Sequence, residues 1–282
     1  MRFLSVLVFA VTALAQSVPS AIFTDPPADK EHPAKMTVLH IPSHGVLING
    51  IVYSPAGAGA HPTLVLCHGL PGNEKNLDLA QAVRRAGWNA VAFNYRGSWG
   101  SPGNFRFAQN LEDADAVLAY LRDPANAARL GIDVRRIVIA GHSMGGWVTV
   151  HTAGHDRGLA GAILISAWDA GKAGNGPADK LEGFMADDME SLAGVTAKSM
   201  AAELRANAAK WGFASAAEGM SKMPVLALTS DDGLAGDTDA LVKAIEAKAG
   251  KVKSVHVATD HGWSDKRIAL ETLVIGWLEG LK

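Results

Sequence analysis

Apolar residues change their spacing as the chain proceeds. Over residues 37–41 and 46–53 they alternate with polar ones, and the two runs are joined through Ser43-His44-Gly45. Alternation at period two marks a half-buried strand, so this region predicts an antiparallel pair. Ahead of it, residues 17–33 are rich in Pro, Ala and Asp and read as an extended lead-in. Beyond the Gly/Ala turn at residues 55–61 the apolar runs become continuous, as in TLVLC (63–67), RIVIA (136–140) and VLALT (225–229), and residues 88–93, 161–165 and 252–257 also read as strands. Unbroken runs of this length fit strands covered on both faces. Helical periodicity fills the intervals at 77–86, 111–121, 145–155, 237–248 and 265–281. Strands alternating with helices predict a mainly parallel sheet with helices on both faces. One stretch breaks the rhythm. Residues 168–221 are rich in Ala, Met, Lys and Glu, look helical throughout and contain no strand pattern. They read as a helical cap over the C-terminal edge of the sheet, where open α/β sheets bind ligands.

The first sixteen residues, MRFLSVLVFAVTALAQ, change the picture of the N-terminus. Arg2 is a short positive segment, an uncharged apolar run follows, and Ala13-Leu14-Ala15 is a small-x-small cleavage signal. The three parts in this order predict a signal peptide over 1–15, a single domain over 16–282, and a secreted or periplasmic protein. The apolar run is short for a membrane span, and no stable membrane insertion is expected after leader cleavage. Composition adds exclusions. Of 282 residues, 48% are hydrophobic and 19% charged, which excludes a disordered or fibrous chain. A net charge of −2 without a basic run gives no argument for nucleic acid. Cys67 stands alone, so neither an intrachain disulfide nor a multi-cysteine metal site can form.

The candidate chemistry begins at Gly141-His142-Ser143-Met144-Gly145-Gly146, directly after RIVIA and directly before a helical pattern. G-x-S-x-G is a weak signal alone in a chain with 30 glycines. Between a strand and a helix it holds a serine hydroxyl on a tight turn, with glycines where a Cβ would collide and helix N–H groups aimed at developing negative charge. Together with His68-Gly69-Leu70-Pro71-Gly72 and Asn94-Tyr95-Arg96-Gly97, this motif makes residues 62–282 resemble the α/β-hydrolase family. Within it the chain looks most like the dienelactone-hydrolase and prolyl-oligopeptidase-like branch, although Ser143 stands where dienelactone hydrolase has cysteine.

The resemblance implies an α/β-hydrolase fold: a mostly parallel eight-stranded sheet with an antiparallel second strand. It also implies a nucleophile, acid and base in the chain order Ser, Asp, His. Ser143 is the nucleophile on this reading. His261, in the loop after the last strand pattern, fits the base better than His256, which sits inside that pattern. Counting from Pro224, Asp232 takes the acid position; Asp231, Asp237 and Asp239 stay open as alternatives. The N–H groups of Leu70 and Met144 would form the oxyanion hole. His68 reads as a brace for its loop and Cys67 as a core thiol. His151 and His155 are four apart on a helix but lack a metalloprotease Glu and a third ligand, so they read as packing or solvated histidines. Residues 97–103 read as a loop bordering the pocket, anchored by Arg96. The implied activity is a serine hydrolase without cofactor or metal, cleaving small-molecule carboxylic esters. A prolyl-oligopeptidase-like peptidase taking short peptides and an acyltransferase are the rival enzymes, and a non-catalytic binding protein is the rival from another class.

Overall fold

A computed structural model describes residues 18–281; the proposed signal peptide lies outside the described residues. Eight strands form one sheet: β1 (Lys35–Ser43), β2 (Val46–Ser54), β3 (His61–Cys67), β4 (Asn89–Phe93), β5 (Ile132–His142), β6 (Gly161–Ile165), β7 (Val225–Thr229) and β8 (Val252–His256), in the order β1-β2-β4-β3-β5-β6-β7-β8. β2 pairs antiparallel with both β1 and β4, and the remaining neighbours are parallel. The antiparallel second strand expected from the sequence is therefore present. β3, β4, β5, β6 and β7 also end on one edge of the sheet because they run in one direction.

The continuous apolar runs follow from burial on two faces. In β3, Leu64 and Leu66 belong to one core and Val65 and Cys67 to the other; in β5, Val138 and Ala140 oppose Ile137 and Ile139 in the same way. Successive strand residues point to opposite faces, so a strand between two helix layers needs an apolar residue at every position. On one face lie α1 (Leu77–Arg85) and, at the C-terminus, α10 (Arg267–Glu279), which supply Leu79, Val83, Leu270 and Val274. On the other lie α2 (Phe107–Arg122), α3 (Pro124–Leu130) and α4 (Met144–His155), which supply Val117, Leu121, Leu130 and Val148.

Residues 168–221 hold α5 (Ala170–Gly174), α6 (Ala178–Ala186), α7 (Ala197–Trp211), a 3-10 turn (Phe213–Ala216) and α8 (Ala217–Met220). The stretch divides in two. α7 packs on α5 and α6, whereas the 3-10 turn and α8 pack on α4 and on α9 (Ala235–Glu246), within the layer that covers the sheet. Close approach explains two glycines here: a Cβ on Gly219 would enter the Gly154 backbone, and one on Gly154 would meet Ala216.

Two elements go beyond the sequence expectation. A 3-10 turn at Ser20–Ile22 interrupts the extended lead-in and is held by Arg85, whose Nη2 donates to the Ile22 carbonyl at 3.0 Å. α3 is too short to display periodicity, yet its ends carry standard signals. Asp123 accepts from the Asn126 N–H, Pro124 takes the first turn, and Gly131 closes the helix at φ 66°.

Candidate active site

Ser143 follows β5 at φ 56° and ψ −120°, in a region that costs a non-glycine residue strain. Its own carbonyl and amide hold it there. The Ser143 N–H donates to Ile165 at 3.0 Å, and the Ser143 carbonyl accepts from Gly146 at 2.9 Å and from Trp168 at 3.0 Å. The flanking glycines are sterically required. A Cβ on Gly141 would run into the Gly145 carbonyl, and one on Gly145 into the Cys67 carbonyl. The elbow is thus wedged between β3, β6 and the start of α4.

His261 lies in the loop that follows β8. Its Nδ1–H donates to Asp232 Oδ2 at 2.7 Å. The Asp232 side chain is only 4% exposed, and Asp232 Oδ1 also accepts from the Leu234 N–H at 2.9 Å. Burial alone would raise the Asp232 pKa. The donors from His261, Leu234 and the Ser230 hydroxyl outweigh it and hold the carboxyl at about 2. Of the alternative acids, Asp239 is exposed on the helix Ala235–Glu246 and the other two are engaged elsewhere. Asp231 pairs with His256 Nε2 at 2.9 Å on the exposed edge, and Asp237 pairs with Lys172. The structure therefore brings together His261 and Asp232, and keeps His256 and Asp231 as a separate pair.

Several further residues hold this arrangement. Trp263 is fully buried at φ 59°, and its Nε1–H donates to Ser166 Oγ at 3.0 Å. Ser166 Oγ lies 2.6 Å from Ser230 Oγ, two residues before Asp232. An indole N–H thus fixes one end of a buried hydroxyl pair beside Asp232. Arg267 ties the His261 loop to α1, with Nη1 donating to the Gly262 carbonyl at 3.1 Å and Nε to Asp78 at 2.7 Å. His142, the residue before Ser143, donates from Nε2 to the His261 carbonyl at 2.8 Å, with the two rings 4.6 Å apart. Burial, and then the nearby His261 charge, lower the His142 pKa to about 4, so the ring is neutral at physiological pH.

The loop after β3 closes the other side. Leu70 and Met144 border the serine, and neither amide donates to a backbone acceptor among the described residues. Met144 is the first residue of α4, where a backbone N–H has no intrahelical partner. His68 is buried, its Nδ1–H donates to the Gly69 carbonyl at 2.8 Å, and burial lowers its pKa to about 4. Gly72, at φ 100°, leaves no room for a Cβ beside the His68 ring. The Cys67 thiol is buried in the core, and burial pushes its pKa up to about 12. It is not available as a nucleophile. Arg96 anchors the neighbouring loop through Asp113, which accepts from its backbone N–H at 2.8 Å and its Nε at 2.7 Å. That loop meets residues 168–221, where Ala193 N–H donates to Gly97 at 2.7 Å and Trp99 N–H to Ser191 at 3.1 Å, while Trp99 Nε1–H reaches the loop after β3 at Pro71 at 2.6 Å.

Ser143, Asp232 and His261 line one cavity of about 540 Å³ together with Leu70, Trp168, Phe184, Asp188 and Leu234. Of the tryptophans near the motifs, Trp168 lines this space, while Trp147 and Trp211 are core residues stacked edge-on at 5.0 Å. His151 donates to the Trp211 carbonyl at 3.0 Å and His155 pairs with Asp115 at the surface, so the two helical histidines serve different partners.

Comparison with known proteins agrees with this architecture. A quorum-quenching protein, AidA, from Acinetobacter baumannii (strain MDR-ZJ06) is 34% identical over 127 residues, 43% of this chain and 40% of that protein. The match therefore spans less than half of that relative's length. Among solved structures, a hyperthermophilic esterase from the archaeon Pyrobaculum calidifontis superposes with a TM-score of 0.67 at 19% identity, over 89% of this chain and 87% of that one. The acylaminoacyl peptidase of Pyrococcus horikoshii superposes at 0.65 with 16% identity, over 87% of this chain and 41% of that one. Both are similar in fold. The sequence profile of the alpha/beta hydrolase family matches residues 64–276, from the middle of β3 to the last turns of α10, and so the chain belongs to the alpha/beta hydrolase family.

Proposed function

We propose that the protein is a serine hydrolase that cleaves carboxylic esters through Ser143, His261 and Asp232. His261 Nε2 takes the proton of Ser143 Oγ as the hydroxyl attacks the ester carbonyl. Asp232 fixes the tautomer through Nδ1 and stabilises the imidazolium. The Leu70 and Met144 amides receive the oxyanion. The alcohol leaves with the proton from His261, and water attacks the acyl-enzyme with His261 as base. The observation that carries this reading is the meeting of a strained serine with a 2.7 Å His261–Asp232 pair in one cavity at the C-terminal sheet edge. The apolar lining by Leu70, Trp168, Phe184 and Leu234 supports a substrate with an apolar acyl or alcohol part.

Labelling with a fluorophosphonate tests the nucleophile. The wild-type chain should form one adduct, and Ser143→Ala should form none and lose at least about 10⁴-fold in p-nitrophenyl ester hydrolysis. An adduct that survives Ser143→Ala overturns the assignment. A prolyl anilide run beside the esters separates the peptidase reading, and product analysis with an added alcohol separates acyl transfer. We further propose that residues 1–15 are removed on export to a secreted or periplasmic location. N-terminal sequencing of the extracellular or periplasmic protein should begin at about residue 16; a chain that retains Met1 in the cytoplasm overturns it.

A further inference from the structure

The cavity at Ser143 contains one carboxylate that the proposed reaction does not use. Asp188, in the connection between α6 and α7, lines it beside Trp168 and Phe184. Asp232, the other lining carboxylate, is paired with His261; among the described residues, no Lys, Arg or His nitrogen lies within 4.0 Å of Asp188. Burial raises the Asp188 pKa, and the charges of Glu190 and Asp187 raise it further, while His261 acts in the opposite sense. Its negative charge is therefore costly to hold in this cleft, and a cation brought in by a ligand would lower that cost. Trp168 and Phe184 face the same space with ring centroids 6.3 Å apart. Aromatic faces attract an ammonium group, most strongly where water is partly excluded. A cavity of about 540 Å³ has room for such a head group as well as a short acyl chain.

We propose that the site selects carboxylic esters carrying an ammonium group, which Asp188, Trp168 and Phe184 receive while Ser143 addresses the carbonyl. This rests on the hydrolase reading above. Asp188 is then a specificity residue, and esters carrying a carboxylate are disfavoured by the same charge.

The test compares butyrylcholine with 3,3-dimethylbutyl butyrate, which has the same shape with carbon in place of the charged nitrogen. Wild-type kcat/KM should favour butyrylcholine by about tenfold, and added salt should reduce that ratio. Asp188→Asn should bring the ratio to about 1, and Asp188→Lys should invert it, with thermal melts checking that both variants fold. A wild-type ratio of 1 or less, or a ratio unchanged by Asp188→Asn, overturns the proposal. Cleavage of the uncharged ester in either case leaves the hydrolase reading standing. Failure to cleave both esters overturns the proposal too, and the hydrolase reading falls with it only if the fluorophosphonate adduct is also absent.

Discussion

His261 Nδ1 sits 2.7 Å from Asp232 Oδ2, while the adjacent carboxylate, Asp231, faces away and pairs with His256. Two neighbouring acids thus have different partners, and their removal should have different consequences. Asp232→Asn replaces the acceptor of the His261 Nδ1–H with an amide and favours the wrong tautomer. It should lower kcat by about 10³-fold or more with the fold intact. Asp231→Asn removes an exposed pair worth less than about 1 kcal/mol and should leave kcat within about twofold. Steady-state kinetics on one p-nitrophenyl ester check both. A large loss in Asp231→Asn, with Asp232→Asn active, would reassign the acid.

Two buried histidines make stability depend on pH below neutrality. Burial lowers His68 and His142 from 6.5 to about 4. Between these values the unfolded chain binds more protons than the folded one, so stability rises with pH across that window. Going from pH 7 to pH 4 should therefore remove on the order of 3 kcal/mol per histidine. Asp232 acts at lower pH: its folded value of about 2 lies below the ordinary 3.8, so its contribution is present above pH 4 and is lost as pH falls towards 2. Urea unfolding of the protein and of His142→Gln at a series of pH values checks the first claim. The variant's slope between pH 7 and 4 should be shallower, and parallel slopes would refute it.

Much of the sheet was legible because a strand covered on both faces must be apolar at every position, as in residues 63–67 and 225–229. The elbow was legible because Gly141 and Gly145 admit no side chain there. What the sequence hid lies in contacts between distant segments. α2 begins at Phe107, four residues before its apparent periodicity, because the Glu203 carboxylate of α7 accepts from the Phe107 and Ala108 amides at 3.1 and 2.9 Å. No signal within α2 announces a cap that comes 95 residues later. The Trp263–Ser166–Ser230 relay is hidden for the same reason: each residue looks ordinary, and only the sheet edge brings the three together. Ser166 and Trp263 both adopt positive φ, which their residue types do not advertise.

Asp113 is fully buried, where it accepts from Ser43 Oγ, the Arg96 amide and Arg96 Nε. Removing Asp113 takes away the fully buried half of this set and leaves Glu112, half exposed, as the one carboxylate partner of Arg96 among the described residues. Asp113→Ala should destabilise by about 3 kcal/mol or more, measured as a fall in the urea midpoint at constant slope. Arg96 also carries the loop that meets the cap stretch at Ala193, so the same variant should raise KM more than it lowers kcat. An unchanged midpoint would mean that water replaces the lost carboxylate.

Arg267 reaches from α10 to the Gly262 carbonyl, one residue beyond the proposed base, and to Asp78 and Asn76 at the start of α1. It acts on His261 through the loop, because its contacts are to backbone and to α1. Arg267→Lys keeps the charge and loses the fork that spans both segments. If this span sets the position of His261, the variant should lose about tenfold in kcat, equivalent to about 1.4 kcal/mol of transition-state stabilisation, with KM nearly unchanged. Fluorophosphonate labelling should slow in step with kcat, since both need the base in place. A variant that loses thermal stability but keeps its labelling rate would make Arg267 a purely structural clamp between α1 and α10.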